Sequence, residues 1–197
     1  MVKAAFYFVA AEALRYPVTE AIAAAYKRLI PFITGSDTSN STEQAETSTP
    51  PPRIDEVLAY SSALRRVKCV GDVIRGANVL WVDDSPANNR NERAMLLALG
   101  AMLRQVKSTR EAIEALSDGN YDIILSDIAR DTVSDAGLKM LSQLPERSPP
   151  VVFYVWKLDD SSPVPVGAFG IANRPESLLH LILDVLERRR IDALYKQ

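Results

Sequence analysis

Between residues 77 and 190, short apolar runs alternate with helix-forming segments, and few folds accommodate such a pattern. The first run, Val79–Val82, is followed by a polar stretch and then by a segment whose leucines have a helical spacing. The predicted strands are residues 79–82, 102–106, 121–126, 151–155 and 168–172. Strands that alternate with helices predict a parallel sheet with helices on both faces. We therefore expect an α/β fold built on a doubly wound, five-stranded parallel sheet.

The rest of the chain divides into segments of different composition. Residues 1–34 are rich in alanine and predict an N-terminal helical segment. Residues 35–52 contain no apolar residue larger than alanine, so they predict a disordered linker. Residues 53–76 predict a connecting helix, residues 77–190 form the α/β domain, and residues 191–197 form a C-terminal tail.

Charge and composition exclude several classes of function. The chain has 23 Lys and Arg against 25 Asp and Glu, so no basic excess favours a nucleic-acid partner. Its single cysteine and single histidine exclude a disulfide framework and a metal centre rich in Cys or His. The apolar run at the N-terminus is about half of the ~20 residues that a membrane span needs. We therefore expect a cytoplasmic protein with no membrane partner.

Acidic residues follow two of the predicted strands. Asp83 and Asp84 come directly after the first strand, and Asp127 follows the third. Ligands of parallel α/β sheets bind beyond the carboxyl ends of the strands, where these carboxylates would converge. Clustered carboxylates repel one another unless a cation compensates, and Mg²⁺ is the hard, oxygen-binding cation that suits them. A carboxylate beside such an ion can act as a nucleophile toward a phosphoryl group.

Four stretches of sequence carry a resemblance to a known family. They are residues 79–89 (VLWVDDSPANN), residues 121–127 (YDIILSD), the pair Gly137-Leu138, and residues 173–175 (NRP). Over residues 77–190 the chain resembles the CheY-like receiver domain of bacterial two-component response regulators. The resemblance implies a flavodoxin-like fold and a role in phosphorelay signal transduction, without enzymatic activity.

The resemblance also implies a role for each residue of the acidic pocket. Asp83 and Asp84 would bind Mg²⁺, and Asp127 would bind it too and accept phosphate from a histidine kinase or phosphotransfer protein. The backbone carbonyl of Ala129 would be a further metal ligand. Arg174 would contact the phosphoryl group.

Several residues depart from the family pattern. Val155 stands where receivers carry a Thr or Ser hydroxyl, and Trp156 stands where a small residue is usual. Arg174 replaces a lysine, and the loop 128–136 is about two residues longer than usual and lacks its proline. The stretch 157–166 contains two prolines, so the fourth helix of the receiver should be shortened or missing.

These departures leave three hypotheses open. The first is a divergent receiver that is phosphorylated on Asp127 and acts by protein contact, with a partner or a second copy bound through the N-terminal helices. The second is a pseudo-receiver scaffold that is not phosphorylated. The third is a small phosphotransfer or phosphohydrolase enzyme that uses the same acids.

Four further features have simpler interpretations. We expect Cys69 to be a buried, small apolar residue. We expect His180 to be a surface or interface residue of the last helix, and Arg188–Arg190 to be a solvated helix end. Trp156 would lie either over the mouth of the pocket or against residues 53–75.

Overall fold

The structure is a computed structural model, which describes residues 54–159 and 162–195. The predicted N-terminal segment 1–34 and linker 35–52 lie outside the described residues. Five strands form one sheet in the order β2-β1-β3-β4-β5, and every neighbouring pair is parallel. The strands are β1 (Asn78–Val82), β2 (Met102–Val106), β3 (Ile123–Ser126), β4 (Val151–Tyr154) and β5 (Gly170–Ala172).

Helices cover both faces of the sheet. They are α1 (Ile54–Val70), α2 (Arg90–Ala98), α3 (Thr109–Asp118), α4 (Ala136–Gln143) and α5 (Pro175–Leu194), with a 3₁₀ turn at Gly71–Ile74. The predicted α/β class and the five-stranded parallel sheet are confirmed. None of the helices among the described residues is long and apolar enough to cross a membrane.

The central strands are buried on both faces, which explains their unbroken apolar sequences. Val79, Trp81, Ile123 and Leu125 point into a core that they share with α1, α2 and α5. The alternate residues of the same strands, together with Phe153, point into a second core under α3 and α4. The sheet is thereby held between two apolar layers, and its strand ends are fixed in space.

Helix α1 belongs to the α/β domain. Its residues Ala63 and Val67 are buried and join the first core. Arg66 reaches α5, where it donates to Asp184 Oδ1 at 2.6 Å and pairs with Glu187. The predicted connecting helix 53–76 is thus an α-helix and a 3₁₀ turn that pack on α5.

The single histidine lies at the contact between α1 and α5. Arg66 donates to the His180 carbonyl at 3.2 Å and also contacts the His180 ring. This position agrees with the expected interface role of His180.

Two expectations need correction near the ends of helices. Helix α5 runs to Leu194, so four residues of the predicted tail 191–197 are helical and the domain boundary at residue 190 falls inside a helix. Cys69 is exposed, so the prediction that it is buried is wrong. It lies two residues beyond Val67, and two residues turn an α-helix by more than half a circle, away from the buried face.

Arg188–Arg190 are exposed, as expected, but α5 continues four residues beyond them and each of the three has a partner. Arg189 forms an ion pair with Asp122 at 2.9 Å, and Arg190 forms one with Asp72 at 2.8 Å. Arg188 lies 5.0 Å above the ring of Phe169. These contacts attach the C-terminal third of the helix to the 3₁₀ turn and the loops beside it.

No helix occurs between β4 and β5 in the residues that the structure describes there, 155–159 and 162–169. The second core in this region is closed by the half-buried side chains of Val155, Ala168 and Ile171. The expected loss of the fourth receiver helix is seen in this part of the chain. Trp156 is 89% exposed, so it packs neither over the mouth of the pocket nor against residues 53–75.

Candidate acidic site

The sheet register places the acidic residues of two strands side by side. Val82 of β1 is opposite Ser126 of β3, so Asp83 and Asp127 leave neighbouring strands at the same level. The Asp127 amide donates to the Val82 carbonyl at 3.2 Å, which extends the ladder to the edge of the sheet. Asp83, Asp84 and Asp127 therefore lie at the carboxyl edge, on adjacent strands.

Asp83 is the most buried of these carboxylates, at 3% exposure. Its Oδ1 accepts from the Ser85 amide at 2.7 Å, and its Oδ2 accepts from the side-chain amide of Asn89. Burial raises the pKa of Asp83, and repulsion from Asp84 adds to the rise, while the Ser85 amide opposes it. The carboxyl of Asp83 is thus held in one orientation by groups of its own loop.

Asp127 is half-buried, and the charges of Asp83 and Asp84, which follow β1, act on its carboxylate. Burial is the main reason that its pKa is raised, and repulsion from Asp83 and Asp84 contributes. Backbone amides of Ile128 and Ala129 hydrogen-bond its carboxylate and lower the pKa in part. Asp83 and Asp84 are therefore close enough to Asp127 to disfavour its charged form.

The loop after β3 folds back onto Asp84. Arg130 and Val133 exchange two backbone hydrogen bonds of 3.1 and 2.9 Å, which closes a tight turn. Asp131 within this turn has a left-handed φ of 50°, a conformation that Asp tolerates better than most residues. Its amide donates to Asp84 Oδ2 at 2.8 Å. The turn therefore fixes the Asp84 carboxylate as the loop of β1 fixes Asp83.

Arg130 lies beneath this site and is 4% exposed. Its Nη1 donates to Ser126 Oγ at 2.6 Å and to the Asp127 carbonyl at 3.0 Å. Its Nη2 donates to Thr109 Oγ1 at 2.9 Å and to the Ala136 carbonyl at 3.0 Å. Burial lowers the pKa of Arg130, and the neighbouring acids, Asp127 first, oppose that change.

Gly137 allows α4 to approach the backbone of Asp127. Its amide donates to the Ile128 carbonyl at 2.7 Å. A Cβ at this position would lie 2.5 Å from the Asp127 carbonyl oxygen and 2.8 Å from Phe153 Cε1. Any residue larger than glycine would therefore displace the strand end that carries Asp127.

A second polar group lies at the start of α2, close to Asn89. The Tyr154 hydroxyl donates to Glu92 Oε1 at 2.9 Å, and the Tyr154 ring meets Trp81 edge-on at 6.2 Å between ring centres. Arg93 donates to the Pro86 carbonyl at 2.6 Å and also contacts Gln105. These bonds hold the loop that follows Asp83 and Asp84.

The donor chemistry of the site fits a hard cation, but the side chains are turned toward other partners. Carboxylate and carbonyl oxygens are the ligands that Mg²⁺ prefers. In the part of the chain that the structure describes, no three His, Cys, Asp or Glu side chains are arranged to hold a metal ion as they stand. Oxygens of Asp83 and Asp84 accept from Ser85, Asn89 and Asp131, so an ion must share or displace these donors.

Similar proteins were found among solved structures. A CheY-like receiver domain protein from Methanospirillum hungatei JF-1 is 17% identical with a TM-score of 0.51, over 59% of this chain and 98% of that chain. A signal receiver domain of an HD domain-containing protein from Pseudomonas fluorescens Pf-5 is 15% identical with a TM-score of 0.50, again over 59% and 98%. The chemotaxis response regulator CheY4 of Vibrio cholerae is 23% identical with a TM-score of 0.48, over 56% and 98%. No family model and no curated protein matches the chain in sequence.

Residues 54–195 contain the receiver fold. The resemblance of fold drawn from the sequence is therefore confirmed. In this receiver fold, the carboxyl edge of the sheet is the edge where Asp83, Asp84 and Asp127 lie.

The remaining predicted site residues stand at the same edge of the receiver fold. Arg174 follows β5, precedes the first turn of α5 and is exposed. Ala129 is exposed, two residues after Asp127. Val155 follows β4, is half-buried and bonds through its amide to the Ala172 carbonyl at 2.9 Å. The metal and phosphoryl roles of Ala129 and Arg174 stay predictions.

Proposed function

We propose that the chain is a divergent response-regulator receiver that binds Mg²⁺ and accepts phosphate on Asp127 in a phosphorelay. The observation that supports it is the placement of three mutually repelling aspartates on adjacent strands at the carboxyl edge of a receiver fold. Asp83, Asp84, Asp127 and the Ala129 carbonyl would hold the ion. Mg²⁺, when bound, supplies positive charge that offsets the carboxylates and the entering phosphoryl group.

Asp127 carries the reaction in this proposal. A carboxylate oxygen of Asp127 forms a bond to phosphorus, and the bond between phosphorus and the donor breaks, so the donor leaves with the bonding electrons. The donor in the cell would be a histidine kinase or a phosphotransfer protein. The backbone of Ile128 and Ala129 favours the charged form of the carboxylate, and Arg130 donates to the Asp127 carbonyl at 3.0 Å.

Arg174 would contact the phosphoryl oxygens. Its guanidinium keeps a positive charge at the edge where the family has a lysine, but it offers a planar fork of donors instead of a compact ammonium. Val155 has no hydroxyl to follow the phosphoryl group. We therefore expect the signal to pass to a partner by a different contact, with residues 1–52 as the proposed output.

A phosphorylation assay tests this function. The full chain is incubated with Mg²⁺ and acetyl phosphate, and intact mass is measured with and without EDTA. We expect the mass of one phosphoryl group to be gained in Mg²⁺, and to be lost with EDTA or with Asp127→Asn. Asp135→Asn is the matched control, because Asp135 is an aspartate at the start of α4 that pairs with Lys139 and lies outside the cluster. No gain, or a gain that survives Asp127→Asn, contradicts the proposal.

The second candidate is an interaction scaffold that is not phosphorylated. Val155, Arg174 and the lack of a helix among the described residues between β4 and β5 favour it, because the receiver family uses these positions to respond to phosphate. In this case Asp127→Ala leaves self-association unchanged, while removal of residues 1–52 abolishes it. Sedimentation velocity of the three proteins separates the two functions, since a phosphorylation-driven output requires Asp127.

A further inference from the structure

Arg130 is a buried cation whose hydrogen bonds all run to neutral groups. Its four acceptors are two hydroxyls and two backbone carbonyls, and none of them is a carboxylate. The hydrogen-bonding needs of the guanidinium are thereby met, but its charge is not neutralised by direct contact. Burying an unpaired charge is costly, so an opposite charge must act on Arg130 through space.

The opposite charge comes from what we call the acid cluster, defined as Asp83, Asp84, Asp127 and Asp131. Arg130 donates to the Asp127 carbonyl at 3.0 Å, and the next residue, Asp131, donates through its amide to Asp84 Oδ2 at 2.8 Å. All four acids, Asp127 first, oppose the lowering of the Arg130 pKa by burial. Against the effects of burial and Asp84, the pKa of Asp83 is in turn lowered by Arg93 and then by Arg130. The buried guanidinium of Arg130 is therefore attracted by four nearby carboxyl groups.

Arg130 also ties two helices, α3 and α4, to the end of β3, which Asp127 follows. Ser126 and the Asp127 carbonyl belong to the end of β3, Thr109 begins α3, and the Ala136 carbonyl begins α4. A guanidinium can make these bonds at once because its donors are fixed in a planar fork. The same side chain thus carries the compensating charge and the geometry of the site.

We propose that Arg130 is the resident counter-cation of the acid cluster and the positioning residue of Asp127. It offsets part of the negative charge when no divalent ion is bound, and its charge opposes the entry of Mg²⁺. This claim concerns the metal-free charge balance and does not depend on phosphorylation of Asp127.

Mg²⁺ titration of full-length variants tests whether the charge of Arg130 opposes the binding of Mg²⁺. Arg130→Met removes the charge at similar length, and we expect Mg²⁺ to bind about tenfold more tightly in calorimetry, since one near positive charge is lost. Arg130→Lys keeps the charge, so its Mg²⁺ affinity should stay near that of the wild type. Lys139→Met is the matched control, because it removes an exposed cation of α4. Equal affinity in Arg130→Met and wild type overturns the claim, as does a Lys variant that behaves like the Met variant.

A double-mutant cycle of Tm values measured in EDTA tests whether Arg130 offsets negative charge when no metal is bound. Asp131→Asn removes one surplus charge, and Asn tolerates the left-handed conformation of this turn. We expect it to restore several degrees of Tm in the Arg130→Met background and to do less in the wild type. Additive changes would show that Arg130 only makes hydrogen bonds.

Two outcomes need a second measurement. If Arg130→Met is unfolded in EDTA, the variant that also carries Asp84→Asn and Asp131→Asn should fold, and its failure to fold contradicts the claim. If the wild type binds no Mg²⁺, the proposed function loses its cofactor. The double-mutant cycle of Tm values in EDTA still tests whether Arg130 offsets the charge of the acid cluster.

Discussion

Two carboxyl groups at one edge of the sheet, those of Asp83 and Asp127, lie where their charged forms are disfavoured. Asp83 and Asp127 have raised pKa values because they are buried and because neighbouring aspartates repel them. The Ser85 amide, Arg93 and Arg130 offset the rise at Asp83 only in part, as the backbone of Ile128 and Ala129 does at Asp127. At neutral pH, ionising these groups therefore lowers stability, as is usual for groups arranged for reactivity.

Asp127→Asn should stabilise the metal-free domain. A group whose pKa is higher in the folded state binds more protons there, so its contribution to stability is lost as pH rises through the raised pKa. We expect wild-type Tm in EDTA to fall as pH rises above the ordinary Asp value of 3.8 toward neutrality. The substitution should weaken this fall and raise Tm at pH 7 by an amount on the order of a few degrees.

Scanning calorimetry in EDTA between pH 4 and 8 measures the effect. Asp135→Asn is again the control, because Lys139 lowers the pKa of that exposed carboxyl. Removing Asp135 should not reproduce the stabilisation at pH 7. A lower Tm for Asp127→Asn than for wild type at pH 7 would contradict this account of the acids.

Gly137→Ala should destabilise the domain and displace the backbone of Asp127. The new methyl group meets the Asp127 carbonyl, the Ile128 Cα and the Phe153 ring at 2.5 to 2.8 Å. Overpacking of this kind costs about 1–3 kcal/mol. Urea unfolding of Gly137→Ala and Gly119→Ala compares this site with one where the nearest atom to a Cβ is 3.4 Å away. Equal stability of the two variants would mean that α4 does not press on Asp127.

Sequence reasoning found the aspartates and missed Arg130. Asp83, Asp84 and Asp127 follow apolar strands, and the end of a parallel strand fixes where such residues lie. Arg130 belongs to a polar loop, where an arginine is normally solvated. Its burial depends on acceptors from Thr109, 21 residues away, from Ser126 and from two backbone carbonyls, and their convergence follows only from the fold.

At the scale of elements, the pattern of strands and helices did not predict that α1 packs as part of the core of the α/β domain. Helical spacing predicted a helix at 53–76, but its role as part of the core depends on its contact with α5, 100 residues or more away. Ala63 and Val67 are four residues apart and define the buried face. Cys69 lies off this face, so the same spacing would have placed it at the surface.

Val67→Ala should destabilise the whole domain. Val67 is 3% exposed and belongs to the core that includes the central strands, so its truncation should cost about 1–3 kcal/mol. Leu58→Ala on the same helix is the control, because Leu58 is 60% exposed and its truncation should cost little. Urea unfolding monitored by circular dichroism compares them. A single transition shifted by Val67→Ala shows that α1 and the sheet unfold together, whereas no shift would make α1 a separate element.

The connection between β4 and β5 was easier to anticipate. Pro163 and Pro165 fall where the fourth helix would run, and proline removes backbone donors that a helix needs. The exposure of Trp156 was not predictable, because it depends on which neighbours the irregular segment leaves beside it.

At the scale of the molecule, the fold was predictable because each level of the sequence agrees with the others. Apolar runs such as Val79–Val82 and Ile123–Leu125 set the strands, and the helical spacing of Leu178, Ile182 and Leu186 sets α5. The electrostatic state of the site is different in kind. It depends on the sum of four acids, Arg130 and any bound ion, and that sum is fixed only by their distances in the folded chain.

The most direct test of the central claim is a crystal structure of the full chain grown with Mg²⁺ and beryllofluoride. We predict an ion at about 2.0–2.1 Å from oxygens of the acidic edge, with Asp127 and the Ala129 carbonyl among its ligands. We also predict the beryllium to be bonded to a carboxylate oxygen of Asp127. A structure at saturating concentrations of both, in which the three aspartates keep their present partners and neither group is bound, would contradict the claim.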